Sequence, residues 1–502
     1  MSLTTAFPHT SVRTLGALRE SGYQICSVKD EIRSNLVKAL KSGRDPFPGV
    51  LGFEQTVIPQ IQNAVLGRHD FILLGLRGQA KSRILRLLPG LLDEYIPMVA
   101  GSDLHDDPFR PITKYARDLI EEHGDETPIE WLHRDLRYGE KLATPDTSIA
   151  DLIGDIDPIK AAHRKLTYAD EEVIHFGIIP RTNRGIFAIN ELPDLQPRIQ
   201  VGLLNIMEEK DIQIRGFNIR FPLDVLMVFS ANPEDYTNRG SIITPLKDRI
   251  DSQIITHYPT SVDTGIAITQ QEAWQQREGD VTVDVPHFFR EIIEQVAFEA
   301  RGSEYVDQNS GVSARMTRAA LENLISAAER RSLLCGESET TARPSDLWFV
   351  EAAITGKLEL VYEGEQEGAQ TVAQVLTGRA LKTIFAKHFP APERDRTTYQ
   401  KVLGWFVAGG ALELHHDMSF IDYAKALDQV DGLRELVDRV AKPDSPAVRA
   451  STMELVIEAL HQHSLLGKEA GPGSRIFVDM MGSMLSGIAP DDADELGDYE
   501  DQ

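Results

Sequence analysis

Residues 75–82 carry the clearest chemical pattern in the chain. A short apolar run, residues 71–74, is followed by Gly-Leu-Arg-Gly-Gln-Ala-Lys-Ser and then by a stretch of helical character. Gly75 and Gly78 allow a tight turn whose backbone N–H groups point inward, where they can surround phosphate oxygens. The pattern therefore predicts a phosphate-binding loop between a buried strand and the start of a helix.

The spacing of the loop gives its residues distinct expected roles. Lys81 would reach the β- and γ-phosphates of ATP, and the Ser82 hydroxyl would ligate Mg²⁺. Ala80 stands where a third glycine is common, and because alanine tolerates helical dihedrals we expect little effect. A chance glycine turn is the alternative to this interpretation. The expected nucleotide contacts are Gly75, Leu76, Arg77, Gly78, Gln79, Ala80, Lys81 and Ser82.

Two further apolar runs end in polar side chains. Residues 185–189 lead into Asn190 and Glu191, and residues 225–231 lead into Asn232. In P-loop ATPases an Asp-Glu pair at the first of these places holds the hydrated Mg²⁺ and polarises the attacking water. We expect Glu191 to be the base, Asn190 to stand beside the metal without a charge, and Asn232 to orient the water from a strand between the other two. An ordinary strand that happens to end in Asn-Glu is the alternative.

Two arginines complete the set of candidate catalytic residues. Arg249 follows Asn232 by 17 residues, and Arg315 opens a helical run over residues 316–330. Arg249 could stabilise charge on the phosphoryl group bound to a neighbouring subunit, and Arg315 could contact the γ-phosphate from a helical lid. Either arginine alone would be interpreted as a surface residue. The order of all five elements favours the catalytic interpretation.

This order of elements resembles the AAA+ family, and its details resemble the magnesium-chelatase ATPase subunit and its MoxR relatives. Residues 150–157 and 177–185 look like the helix-two insert of this clade. Residues 211–221 alternate around Gly216-Phe217 as a hairpin does, and residues 101–111 also resemble the chelatase subunit. The resemblance covers about residues 47–335.

The resemblance and the alternation of short apolar runs with helical stretches predict the same fold class. We expect an α/β P-loop AAA+ core, a parallel sheet flanked by helices, followed by an α-helical lid and an additional α-helical C-terminal region. The predicted domains are a helical segment 1–45, the core 46–260, the lid 261–345, the helical region 346–470, and a short helix with an acidic disordered tail 471–502.

Length and charge narrow the functional classes. A chain of 502 residues with a formal charge of −25 is expected to fold into about two to four domains and to bind nucleic acid poorly. Cys26 and Cys335 are too few for a disulfide framework. Because no apolar run of about 18 residues occurs, we expect no membrane segment and a cytoplasmic location.

The resemblance implies an ATP-dependent machine with ATP and Mg²⁺ as cofactors. Its members form homo-oligomeric rings, usually hexamers, and work with a partner that carries a von Willebrand A domain. We favour a remodelling or chaperone role, because the chain is longer than a chelatase subunit requires. Magnesium insertion into protoporphyrin, a DNA motor of the minichromosome-maintenance type, and a weakly hydrolysing nucleotide-gated scaffold remain alternatives. The sequence leaves the substrate open.

Overall fold

The computed structural model describes residues 12–157, 171–214, 220–233, 241–279, 281–471 and 473–480. The chain divides into two compact units, Met1–Tyr258 and Pro259–Gln502. The acidic tail and the Gly216-Phe217 tip of the predicted hairpin lie outside the described residues. Among the described residues, no helix combines the length and the apolar character that crossing a membrane requires.

A five-stranded parallel sheet forms the centre of the first unit. The strands are β1 Phe71–Leu74, β2 Tyr138–Leu142, β3 Gly185–Asn190, β4 Val225–Ala231 and β5 Ser252–Ile255. They follow the order β5-β1-β4-β3-β2 in the sheet, and every neighbouring pair is parallel. The predicted parallel α/β fold is therefore confirmed.

The sheet is buried on both faces, as parallel sheets generally are. Successive residues of one strand point to opposite faces, so Ile186 packs into one hydrophobic cluster and Phe187 into the other. Val228 and Phe229 of β4 divide between the clusters in the same way. This two-sided burial explains why β3 and β4 are continuous apolar runs in the sequence.

Helices cover this sheet, and three small antiparallel pairs extend from it. The pairs are Tyr95–Val99 with Ile129–His133, Gly154–Ile156 with Ile174–Phe176, and Asp211–Gln213 with Arg220–Pro222. The last pair confirms the two strands predicted for the hairpin at residues 211–221. The helices are Leu15–Glu20, Val28–Ser42, Val57–Leu66, Lys81–Leu87, Lys114–His123, Ile149–Leu152, Ile178–Arg181, Pro197–Glu208 and Thr244–Arg249.

The second unit is mainly helical and has one continuous hydrophobic core. This core runs from Phe289 to Phe477, so the residues predicted as separate lid and C-terminal domains pack together. Within the residues predicted as a helical lid, Glu339–Thr341 form a strand paired with Thr282–Asp284. The helices are Val262–Glu272, His287–Arg301, Ala314–Cys335, Glu351–Thr355, Tyr362–Glu367, Ala369–His388, Gln400–Val407, Phe420–Leu427, Leu433–Val440 and Pro446–Gln462.

A three-stranded antiparallel sheet closes the described part of the second unit. It pairs Leu412–His415 and Leu466–Gly471 with Ser474–Asp479. The short helix predicted after residue 471 is therefore wrong for residues 474–479. Burial alternates along this strand, with Arg475 and Phe477 inside, and this period of two is typical of a strand.

Candidate functional site

The backbone of the 75–80 loop passes too close to its neighbours for a side chain at Gly75. A Cβ atom there would lie 1.9 Å from Thr256 Oγ1 and 2.2 Å from Gln79 Oε1. These two side chains bond each other at 2.7 Å, which ties the loop to the end of β5. Gly78 has a φ of +76°, a conformation that glycine adopts without strain. Both glycines are therefore required by the local geometry.

The backbone conformation of Ala80 differs from the helical one expected from the sequence. Its φ is +55° and its ψ is +13°, which is left-handed rather than helical. A side chain in this region costs about 1–2 kcal/mol because Cβ approaches the following carbonyl. The replacement of glycine by alanine here is therefore a source of backbone strain in the loop.

Lys81 begins the helix Lys81–Leu87, and its side chain folds back over the loop. Its ammonium group donates to the carbonyl oxygens of Gly75 and Leu76 and to Asn232 Oδ1 at 2.7 Å. Only 7% of the residue is exposed. The cation is thus fixed at the carboxyl edge of the sheet by three oxygen atoms.

Asn232 connects this cation to Glu191. Its Nδ2 donates to Glu191 Oε2 at 3.0 Å, while its Oδ1 accepts from Lys81. Glu191 has a φ of +54°, and non-glycine residues in this region often occur where function constrains the backbone. Lys81 after the loop, Glu191 after β3 and Asn232 after β4 therefore meet in one hydrogen-bonded chain.

The strand order explains why these ends converge. Asn232 follows β4, which lies between the loop strand β1 and the Asn190-Glu191 strand β3, as predicted. The carboxyl ends of parallel strands share one edge, where α/β proteins place their ligands. The first unit thus has the parallel α/β core that the sequence predicts, with the three polar strand ends at one edge of the sheet.

Comparisons with solved structures give distant likenesses to the chain. A candidate ATPase from Cytophaga hutchinsonii is 15% identical with a TM-score of 0.30, over 70% of this chain and 95% of that one. A structure of the BchI and BchD subunits of magnesium chelatase is 18% identical with a TM-score of 0.33, over 64% and 98%. NtrX from Brucella abortus in complex with ATP is 12% identical with a TM-score of 0.39, over 73% and 72%. No family model matches the chain.

Asn190 is buried at the end of β3, and two side chains are its hydrogen-bond partners. Its Oδ1 accepts from Ser230 Oγ at 2.9 Å, and its Nδ2 donates to Glu140 Oε1 at 2.5 Å. Glu140 lies on the adjacent strand β2 and also accepts two bonds from Arg86 at 2.8 and 3.0 Å. A carboxylate is therefore present beside Asn190, on a neighbouring strand.

Glu140 changes the pKa values of two side chains that contact it. The hydrogen bond and the negative charge of Glu140 raise the pKa of the Arg86 guanidinium. Burial first, and then the charge of Glu140, raise the pKa of Tyr138 well above its ordinary value. Glu140, Ser230 and Thr256 are site residues that the sequence analysis missed, because none lies within a recognisable motif.

The residues at this edge of the sheet fit the phosphates of a nucleotide. Gly75 and Gly78 place no side chain of their own in the loop, and Gly78 has the left-handed conformation that suits glycine. Lys81 supplies a cation at the start of a helix, and such a start attracts anions. A hydroxyl at Ser82 and an amide oxygen at Asn190 are oxygen donors of the kind that Mg²⁺ accepts.

Arg249 lies outside the Lys81–Asn232–Glu191 chain. It is the last residue of the helix Thr244–Arg249, and its guanidinium donates to Glu208 and to the carbonyl of Pro245. Its side chain is 29% exposed. The arginine is thus partly accessible and is paired with a carboxylate of its own subunit.

Arg315 belongs to the second unit. It lies in the first turn of the helix Ala314–Cys335, where its backbone N–H donates to the Ser313 side chain at 3.1 Å. The predicted helical run is therefore present, with Ser313 as its N-cap. A contact between Arg315 and the nucleotide remains a prediction.

Proposed function

We propose that this chain is an ATP-hydrolysing AAA+ remodelling ATPase that acts as a ring with a partner protein. The observation that carries the proposal is the hydrogen-bonded chain from Lys81 through Asn232 to Glu191. It joins a phosphate-binding cation to a candidate base through a polar residue that can hold a water. Such an arrangement suits phosphoryl transfer to water, where positioning and charge supply most of the catalysis.

In the proposed mechanism, the loop amides and Lys81 bind the β- and γ-phosphates. On binding, the ammonium group of Lys81 exchanges carbonyl partners on the loop for phosphate oxygens. Ser82 and Asn190 would hold Mg²⁺, which supplies neutralisation of the phosphate charge. Asn232 orients the attacking water, and Glu191 accepts its proton.

Arg249 is proposed to act on the nucleotide of a neighbouring subunit. The partial exposure of its side chain supports this role. Its hydrogen bonds to Glu208 would have to be replaced by bonds to the phosphate of the neighbouring subunit. A guanidinium directed at the transferring phosphoryl group stabilises the charge that develops there. Arg315 is proposed to contact the γ-phosphate from the helical lid.

We favour the remodelling role with a von Willebrand A domain partner over magnesium insertion, because the helical second unit continues well beyond the lid. A weakly hydrolysing, nucleotide-gated scaffold is the second candidate. It is favoured by Asn190, which contributes no charge where P-loop ATPases carry a carboxylate.

The proposal is tested by comparing ATP binding and hydrolysis in the purified parent, Glu191→Gln and Glu130→Gln. Glu130 is an exposed strand residue and controls for the loss of a carboxylate. We expect Glu191→Gln to bind ATP like the parent and to lose turnover, whereas Glu130→Gln keeps both. Parental turnover in Glu191→Gln would assign the base elsewhere, and binding without turnover in the parent would favour the scaffold.

A further inference from the structure

Asn190 is oriented by partners on both neighbouring strands. Ser230 on β4 donates to its oxygen, and Glu140 on β2 accepts from its nitrogen. Because a carboxylate can only accept hydrogen bonds, the nitrogen must face Glu140. Asn190 is opposite Leu142 in the β2–β3 register, so Glu140 is its diagonal neighbour on the same face of the sheet.

Glu140 is also connected to the phosphate loop. Arg86, which holds it with two hydrogen bonds, belongs to the helix Lys81–Leu87 that begins at the loop. Arg86 follows Ser82 by four residues, which places the two on one side of the helix, one turn apart. Two of the contacts of Glu140, those with Asn190 and Arg86, therefore lead to the candidate metal side of the site.

The hydrogen bond between Asn190 and Glu140 makes an aspartate unfavourable at position 190. An aspartate at 190 would place its carboxylate at hydrogen-bond distance from that of Glu140, and two like charges so close are strongly unfavourable. Asparagine at 190 and glutamate at 140 are thus a matched pair. The negative charge beside Asn190 lies on Glu140 of the neighbouring strand β2, where it is paired with Arg86.

We propose that Glu140 supplies the negative charge on the metal side of this AAA+ site, and that Asn190 is the residue that positions it. The proposal rests on the nucleotide-binding function proposed above. It assigns a role to a residue of β2 and predicts that Asn190→Asp alone does not improve the site.

Four proteins test the pair: the parent, Glu140→Gln, Asn190→Asp and the double variant, with Glu130→Gln as the control for charge. The first measurement is the Mg²⁺ midpoint for binding of a fluorescent ATP analogue, without turnover. The second is the free energy of unfolding with neither nucleotide nor Mg²⁺ present. In the double variant, the carboxylate of an aspartate at 190 can accept from the amide of a glutamine at 140 and from Ser230.

We expect Glu140→Gln to raise the Mg²⁺ midpoint about tenfold, the scale of one charge acting through water at a partly screened site. Asn190→Asp alone should be destabilised, or fail to fold, and should not lower the midpoint. The double variant should recover both stability and a midpoint near that of the parent. The control should match the parent in both measurements.

Two results would overturn the proposal. One is a parental midpoint in Glu140→Gln together with a lower midpoint in Asn190→Asp, which would make Glu140 only a partner of Arg86. The other is a double variant whose destabilisation equals the sum of the single effects. If the parent binds no nucleotide at any Mg²⁺ concentration, the proposed function fails, whereas the unfolding measurement still decides the pairing of Glu140 with Asn190.

Discussion

The ammonium group of Lys81 lies 2.7 Å from the side-chain oxygen of Asn232, which also contacts Glu191 through its nitrogen. One amide thus links the expected phosphate cation to the expected base. This relationship ties the helix that follows the loop to the ends of β3 and β4. It implies that Asn232 affects catalysis more than binding.

Asn232→Ala should keep ATP binding and lose most of the hydrolysis. Without the amide, the water and Glu191 lose a common partner, and we expect a fall in kcat of about 100-fold, the lower end of the range for proton-transfer groups. The measurement is steady-state turnover beside equilibrium binding. Asn63→Ala, at an exposed helix position, is the control, and equal turnover in both variants would remove Asn232 from the mechanism.

Ala80→Gly should relieve the left-handed strain at the end of the loop. The gain is about 1–2 kcal/mol, offset by about 0.5–1 kcal/mol of chain entropy for glycine, so we expect a small net increase in the free energy of unfolding. Ala80→Val should be clearly destabilising, because a β-branched residue is rare at this φ. Chemical denaturation of the parent, Ala80→Gly and Ala80→Val measures the free energy of unfolding of each and so checks this order of stability. A valine variant as stable as the parent would show that the loop relaxes out of this conformation.

Arg249 should link hydrolysis to assembly. If it acts on the neighbouring subunit, activity per subunit should rise with protein concentration, and Arg249→Ala should lose this rise. A mixture of Arg249→Ala and Glu191→Gln subunits should regain part of the activity, because some interfaces then combine both intact residues. No recovery in mixed rings of verified composition would contradict a shared site.

Glu208→Gln offers a complementary test of the same arginine. Glu208 holds Arg249 within its own subunit, so weakening that bond should leave turnover at the parental level or raise it. The measurement is turnover as a function of protein concentration. A loss as large as that of Arg249→Ala would indicate that Arg249 has a structural role within its subunit.

Glu454 should make the stability of the second unit depend on pH. Burial raises its pKa to about 6, and its Oε2 accepts from the Tyr423 hydroxyl at 2.6 Å. Between pH 4.5 and about 6 the folded state therefore keeps a proton on Glu454 that the unfolded state loses. The contribution of this group to the free energy of unfolding is complete below the unfolded pKa near 4.5 and is lost as the pH rises to about 6. The loss is about 2 kcal/mol, from 1.36 kcal/mol per pKa unit.

Glu454→Gln should flatten this pH dependence, because the amide stays neutral and can still accept from Tyr423. Glu435→Gln, at an exposed helix position, is the matched control and should keep the slope of the parent. Unfolding of the three proteins between pH 4.5 and 7 checks this. Parallel curves for all three would show that Glu454 does not hold the proton.

The sequence predicted those parts of the site that depend on local patterns. The loop at residues 75–82 and the polar ends of β3 and β4 are recognisable because buried parallel strands are apolar and their ends are not. The dihedral of Ala80 could not be predicted, since it depends on how the loop closes. Strand β2 was missed because Tyr138-Gly-Glu140-Lys has no apolar run, and Glu140 was missed with it.

The organisation of the second unit shows a different limit of prediction from sequence. A helical lid over residues 261–345 was predicted, but Glu339–Thr341 form a strand that pairs with residues more than 50 positions earlier in the chain. A hydrophobic core shared between Phe289 and Phe477 arises from contacts between distant segments. Such contacts leave no local signal in hydrophobic periodicity.

The central claim is that residues 75–82 bind ATP through Lys81, and its most direct test is equilibrium binding of ATP to the parent, Lys81→Ala and Lys41→Ala. Lys41 is exposed, and its substitution controls for the loss of a positive charge. The account predicts that Lys81→Ala loses ATP binding or weakens it about 10- to 150-fold, the range that corresponds to a charge-assisted contact of about 1.5–3 kcal/mol, while Lys41→Ala binds like the parent. Unchanged affinity in Lys81→Ala would contradict the account.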